Sequence, residues 1–296
     1  MKYSLSSLIK NIRMLIYLIS LILVTNTIYA NSIKNYTVVI ESGTQAILNQ
    51  LTQKSSKQQM QKKSIGEISQ WVSLQLLNSP YKTYLLDKST PEYLYISLSN
   101  TDCMLFIEEV VVVSRLIKEA KLNLSNYIAG IKQVRYHGDI AYCNRNHYFK
   151  DWAIQNENKG LINDIAWGLT HIKYPYLAAS LGNSIAKNIK NIHYQNLNCI
   201  VSRESVVNSE QIGFISLKEL PKYLKNIQAG DIIGVIRNPT KADPVQHLGI
   251  AYLHGGKVGM VDASSLHGKV VIEDTLLGYL AKFKNSQGII LFRINE

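Results

Sequence analysis

His247-Leu-Gly-Ile-Ala-Tyr-Leu-His-Gly-Gly-Lys-Val-Gly-Met-Val-Asp262 reads as two short strands around a turn. Gly255-Gly256 supplies the turn, because glycine reaches the left-handed backbone that a two-residue hairpin loop needs. The predicted strands are His247–Tyr252 and Lys257–Asp262. A tight hairpin around that turn places Asp262 near Gly249, within about one residue pair of His247. The carboxylate could then hold the imidazole in one tautomer and stabilise its cation.

Further strands flank the hairpin. Ala229-Gly230-Asp231 marks a turn into Ile232–Ile236, and Lys269–Ile272 and Gly288–Ile294 follow downstream. Short strands with short connections predict an antiparallel sheet. The upstream half is helical in pattern, so the expected class is α+β. Ser64-Ile-Gly-Glu67 has capping-box spacing, and Ile65, Ile68, Trp71, Val72 and Leu76 recur at helical intervals before Asn78-Ser79-Pro80 ends the run. Glu92 to Leu98 alternates and predicts a half-buried strand, with Leu94, Ile96 and Leu98 on one face. Tyr36–Ile40 predicts another short strand, and Gln50 to Lys63 an exposed helix or linker. Between Asp164 and Lys225 the pattern is weaker, with helical pieces near Ile165–His171 and Leu217–Lys225.

Asn100-Thr-Asp-Cys-Met-Leu-Phe-Ile-Glu-Glu-Val-Val-Val-Val113 predicts a helix start, continuing to about Lys121. Asp102 is a good N-cap residue, and Cys103 would be the first helical residue. The positive helix end favours a thiolate there, the nucleophilic form of cysteine. A buried, inert cysteine is the plain alternative. A cysteine nucleophile needs a base, and the base an orienter. Of the seven histidines, His254 and His267 sit at turns, His137 and His147 in a polar block, and His171 and His193 in the weakly patterned middle. His247 differs by opening an otherwise apolar strand, where it would face a helix packed on the sheet.

The polar-aromatic block runs from Ile131 to Asn156. It is rich in Arg, Tyr, His and Trp, types that recur where a cleft binds a polar substrate and equally where a loop is pinned by hydrogen bonds. Arg145, His147, Tyr148 and Trp152 stand out.

At the N-terminus, Lys2, Lys10 and Arg13 precede an apolar run from Met14 to Val24, with Tyr29-Ala30 at the end. This is a signal-peptide pattern, too short for a comfortable membrane span. The rest is expected to be exported, to the periplasm or beyond, with no stable membrane insertion after cleavage. The formal net charge is +11, of which the leader carries three units. A basic exported protein meets anionic lipid or acidic polymer sooner than nucleic acid, and no dense Arg/Lys stripe suggests nucleic acid. Cys103, Cys143 and Cys199 are too few for a disulfide framework. Cys143–Cys199 is one possible bridge. No Cys/His spacing suggests zinc.

The order of these features resembles the NlpC/P60 cysteine peptidases, a circular variant of the papain-like fold. It is closer still to the DUF1460 branch of N-acetylmuramoyl-L-alanine amidase-like proteins. The residues carrying the resemblance are Ile65-Gly66, Ser79-Pro80-Tyr81, Pro91-Glu92 and Asp102-Cys103 with Phe106-Ile107-Glu108. They continue in Arg135-Tyr136, Gly138, Arg145, His147-Tyr148-Phe149, Asp151-Trp152 and Asn156, then Gly230-Asp231-Ile232-Ile233, His247-Leu248-Gly249-Ile250 and Ala263-Ser264-Ser265. The resemblance spans about 230 residues. With the signal peptide taken as 1–30, it divides the rest into an N-terminal extension (31–63) and a cysteine amidase domain (64–296), with the nucleophile helix on an antiparallel sheet and helical insertions.

It also implies hydrolysis of the amide between N-acetylmuramic acid, the 1,6-anhydro form included, and L-alanine of peptidoglycan fragments. Cys103 would be nucleophile, His247 base, Asp262 orienter and Tyr81 an oxyanion donor. Asp102, Arg135, Tyr136, Arg145, His147, Tyr148 and Trp152 would bind substrate, with no metal or organic cofactor. The family usually has a histidine where Asp262 stands. The segment before His247 also departs from the family spacing, so Asp243 reads as a loop residue. The rival readings are an endopeptidase cutting after D-glutamate in the stem peptide, and a non-catalytic wall-binding module.

Overall fold

The computed structural model describes residues 36–86, 91–174, 194–237 and 244–296. The signal-peptide segment, His193 and Asp243 lie outside the described residues. From Val38 to Glu296 the chain forms one compact unit.

The unit starts with β1 (Val38–Ile40) and α1 (Thr44–Lys57). β1 pairs in parallel with β2 (Leu94–Ile96), and Leu48 and Leu51 of α1 are buried. The 31–63 extension is therefore corrected: from Val38 onward it is built into the body by a strand and an apolar helix face. α2 (Ile65–Gln75) opens with the predicted capping box between Ser64 and Glu67. Gly66 touches the turn before the central strand so closely that a Cβ there would lie 2.3 Å from the Ala229 carbonyl oxygen. Gly230 occupies the other side of that contact with φ +79°, a backbone open to glycine.

α3 (Cys103–Lys118) is buried nearly all round, from Leu105 to Ser114, as expected of a helix at the centre of a domain. α4 (Leu124–Arg135), α5 (Phe149–Asn158) and α6 (Ile165–Thr170) follow, with β3 (Ile162–Asp164) between the last two. β4 (Lys173–Tyr174) pairs with β5 (Ile212–Gly213), and α7 (Tyr194–Ser209) precedes it. The short pieces β6 (Ile215–Ser216) and α8 (Leu220–Tyr223) lead into the sheet.

The main sheet takes β7 (Ile232–Arg237), β8 (Val245–His254), β9 (Lys257–Ser264), β10 (Lys269–Glu273) and β11 (Ser286–Ile294). α9 (Leu276–Ala281) lies between the last two. The spatial order is β10-β9-β8-β7-β11-β3, with β6 also on β11, and every pairing is antiparallel. The class is α+β, as the strand pattern predicted. Gly255 and Gly256 turn the β8–β9 hairpin at φ +56° and +75°. Ile250 faces Val261 and His254 faces Lys257, so Asp262 sits one step beyond the Ile250–Val261 pair, opposite Gly249. That is the register expected from the turn.

Ile233 and Val235 of β7 and Ile289 and Leu291 of β11 form a core with Ala251, Met260, Leu276 and Leu280, covered by α6, α8 and α9. α3 packs against α2 and α4 and against β8 and β9.

Two expectations need correction. β2 is buried on both faces rather than one, because Tyr95 lies inside the fold and only its hydroxyl needs a partner, found in Glu41 at 2.7 Å. The helix after Cys103 ends at Lys118, three residues short of the predicted limit. Cys143 and Cys199 are joined, tying α7 to the turn before α5. Closing a loop of this length removes about 4 kcal/mol of unfolded-state entropy in the chain-entropy account.

Candidate active site

The site begins at the segment before α3. Ser97 Oγ accepts from the amides of Ser99 and Asn100 and donates to the Asn100 carbonyl, which shapes the loop. Asp102 Oδ1 then accepts from the amides of Met104 and Leu105 at 2.9 and 2.8 Å. The predicted cap is in place, worth about 1 kcal/mol. Cys103 is the first helical residue, half-buried and outside any disulfide.

Residues 80–82 run alongside this loop. The Thr101 amide donates to the Pro80 carbonyl and the Lys82 amide to the Thr101 carbonyl, at 3.1 and 2.9 Å. The Tyr81 amide donates to the Gly268 carbonyl, joining this segment to the β9–β10 turn. These bonds fix Tyr81 beside Cys103. Burial, and then the nearby Cys103 and Asp102, push the Tyr81 phenol up to about 12. The hydroxyl therefore stays protonated near neutral pH and can donate.

β8 and β9 bring the second pair. His247 Nε2 and Asp262 Oδ2 are 2.6 Å apart, with His247 8% exposed and Asp262 fully buried. His247 reaches Asp262 diagonally, past Gly249, a position with no side chain. Nε2 is thereby committed to the carboxylate, and Nδ1 is the remaining ring nitrogen. α3 packs on both of these strands.

Tyr279 of α9 was not anticipated from the sequence. Its ring lies 5.9 Å from that of His247, tilted by 32°. Burial raises its phenol, and the charges it feels include those of Asp262, Arg237 and Cys103. Tyr279 thus packs on His247 and feels the charges of both halves of the site. The only sequence signal was a brief apolar run, Leu276-Leu277-Gly278-Tyr279-Leu280, between two strands.

The polar block does something other than predicted. Arg135 donates through Nε to Glu108 at 2.7 Å and through Nη1 to the Tyr95 carbonyl at 2.6 Å, entirely inside the fold. Tyr136 donates to Glu92 at 2.7 Å, and Arg145 donates to the Leu86 carbonyl at 3.0 Å while its charge faces Glu92. Tyr148 donates to Glu204, and Trp152 is fully buried and stacked on Phe149. His147 is half-buried and tied to the Tyr142 carbonyl at 2.8 Å. The substrate-binding expectation for Arg135, Tyr136, Arg145, Tyr148 and Trp152 is corrected by their burial, while half-buried His147 keeps one ring nitrogen outside that bond. Most of their polar atoms bond within the chain, while Arg145 Nε and Trp152 Nε1 are buried without a hydrogen bond. Asp102 is likewise a helix cap.

Two grooves lie elsewhere. One of about 700 Å³ opens at the His254 end of β8, the end opposite His247. The other, about 560 Å³, sits over α5 and α7 beside His137, Asp151 and Arg203.

Comparison with known proteins places this arrangement. The AmiA-like model, described as N-acetylmuramoyl-L-alanine amidase-like, matches residues 71–289. No curated protein matches the chain significantly. Among solved structures, an N-acetylmuramoyl-L-alanine amidase from Bacteroides uniformis is 26% identical, with a TM-score of 0.73 over 78% of this chain and 99% of that one. A Bacteroides fragilis protein provisionally named a xylanase is 27% identical, with a TM-score of 0.70 over 76% and 99%. A Legionella pneumophila protein described under DUF1460 is 18% identical, with a TM-score of 0.59 over 85% and 96%, a likeness of fold.

Proposed function

We propose a reaction from one premise: the chain belongs to the AmiA-like family of N-acetylmuramoyl-L-alanine amidase-like proteins. The reaction is hydrolysis of the amide that joins the lactyl group of N-acetylmuramic acid, in its 1,6-anhydro form or not, to L-alanine. The substrate is peptidoglycan or its fragments. The single observation that carries the reading is the buried His247–Asp262 pair, built on strands that pack against the helix beginning at Cys103.

Cys103 thiolate attacks the lactyl carbonyl. His247 accepts the thiol proton at Nδ1 and later gives it to the leaving alanine amine. Asp262 holds Nε2, fixing the tautomer and balancing the imidazolium, as a third group does in nucleophile–base–orienter sites generally. A carboxylate serves this role at least as well as the histidine usual in the family. The Cys103 backbone amide, at the positive end of α3, and the protonated Tyr81 hydroxyl supply the two donors for the oxyanion. Water then attacks the thioester with His247 as base. The Met14–Val24 leader pattern supports export, and so a site of action outside the cytoplasm.

The test is digestion of purified muropeptides by wild type and by Cys103→Ala, read by mass spectrometry. Release of the intact stem peptide from the sugar by wild type alone is expected. Disaccharide-dipeptide products would move the cut to the D-glutamyl bond. Equal hydrolysis by the mutant would end the cysteine reading.

A further inference from the structure

Arg237 ends β7, two residues past Val235, which is the cross-strand partner of His247. Its guanidinium carbon lies 3.5 Å from the centre of the Phe283 ring. Phe283 meets Tyr279 edge-on at 5.2 Å, and Tyr279 lies against His247. Stacking on an aromatic face fixes the plane of a guanidinium and leaves its N–H edge free to fork onto a carboxylate. Phe283 and Tyr279 thus connect the guanidinium to His247, and Tyr279 feels the charge of Arg237 together with those of Asp262 and Cys103.

Four other guanidinium groups in the fold face a carboxylate, and Arg115 donates to the Asn295 carbonyl at 2.8 Å. Arg135 faces Glu108, Arg145 Glu92, Arg203 Asp151 and Arg293 Asp231. Arg237 has no carboxylate partner among the described residues, and its Nε is buried without a hydrogen bond. A cation without a counter-charge is costly in a partly buried setting, and an incoming anion that reaches its terminal nitrogens recovers part of that cost.

We propose that Arg237 seats a substrate carboxylate: the free α-carboxylate of the γ-linked D-glutamate, second residue of the stem peptide. The inference rests on the muropeptide reading above. In that substrate the muramic carboxyl is consumed in the scissile amide, and alanine carries no side-chain acid. D-Glutamate therefore offers the first free carboxylate beyond the bond that Cys103 would attack. A guanidinium beside the dyad is placed to hold it bidentately.

The experiment uses the full chain carrying Cys103→Ala, so that ligand is not turned over. Calorimetry compares two N-acetylmuramoyl-tripeptides that differ in bearing the D-glutamate α-carboxylate or its carboxamide. With Arg237 intact, the acid should bind about 10- to 100-fold more tightly, the range of a charge-assisted pair. Arg237→Gln should shrink that preference to within about threefold. Arg237→Lys, which keeps the charge and loses the fork, should retain a preference between the two, and it guards against a glutamine variant that fails to fold. Binding without discrimination in the Arg237 protein, or a preference that survives Arg237→Gln, overturns the inference alone. Failure of both ligands to bind the Arg237 protein overturns the muropeptide reading and the inference together.

Discussion

Two regions of this molecule are rich in the side chains of chemistry, and they use them in opposite ways. The Arg135–Trp152 block pairs its arginines with carboxylates of its own chain, although Arg145 Nε and Trp152 Nε1 are buried without a hydrogen bond. The sheet end carrying His247 and Asp262 differs. Asp262 has one oxygen on His247 and the other, Oδ1, buried without a hydrogen-bond partner, while Arg237 is stacked on Phe283 with no carboxylate partner among the described residues. In the helical block, Glu108, Glu92 and Glu204 each answer an Arg or Tyr. Abundance of Arg, Tyr and Trp is therefore no mark of a binding site. What separates the two regions is whether each arginine already faces a carboxylate among the described residues.

The sharpest test of the contrast is Asp262→Asn. If the dyad works as proposed, amidase turnover should fall about 10²- to 10⁴-fold through loss of the imidazole's orienter, with melting temperature nearly unchanged. Kinetics and a thermal melt on the same preparation decide it. An equal loss of folding would place Asp262 with the frame.

The reverse is expected of Arg135→Met. Removing one partner of a buried pair leaves Glu108 stranded and costs about 3–5 kcal/mol. The melting temperature should fall by about 10 °C, while kcat per folded molecule below that temperature stays close to wild type. A raised KM with undiminished stability would return Arg135 to the substrate.

Tyr81→Phe should lower kcat about 100-fold if its hydroxyl is an oxyanion donor, with little effect on stability. The phenol, raised to about 12 by burial first and then by Cys103 and Asp102, keeps its proton throughout the neutral and mildly alkaline range. Between pH 10 and 12 the unfolded chain loses this proton while the folded chain holds it. Stability from this group is full below pH 10 and drains away toward pH 12. Tyrosinate absorbance followed alongside ellipticity should show phenol titration and unfolding advancing together.

The smallest effect belongs to Glu109, on α3 six residues from Cys103. Burial first raises its carboxyl well above the usual carboxylate range, against a hydrogen bond with Thr101. The folded state favours the protonated acid, so stability is full below about pH 4.5 and declines as pH rises toward the raised value. Glu109→Gln removes that penalty. It should raise the melting temperature by about 2–4 °C at pH 8 and leave it unchanged at pH 4.

Much of the sheet was legible because its signals are local. Two adjacent glycines set the turn, the turn set the register, and the register put Asp262 within reach of His247. The α3 start was legible for the same reason, since a cap acts within three residues. β2 misled because alternation reports side-chain polarity, and Tyr95 carries its one polar atom at the tip. α7 was missed because Tyr194–Ser209 has few apolar positions at helical spacing. The polar block misled most. Its partners, Glu92, Glu108 and Glu204, lie far along the chain, and no local pattern distinguishes a matched guanidinium from a waiting one. Tyr279 and Arg237 join the site only through the folded sheet.

The Cys143–Cys199 bond, 56 residues apart in sequence, has a consequence for how the chain responds to a protease. It makes the stretch between the two cysteines a covalent ring within the chain. A single cut anywhere on that ring yields no released piece: the half bearing Cys103 and the half bearing His247 and Asp262 remain one molecule. Such a nicked protein should run as a single species on a denaturing gel and separate into two only once a reductant is added.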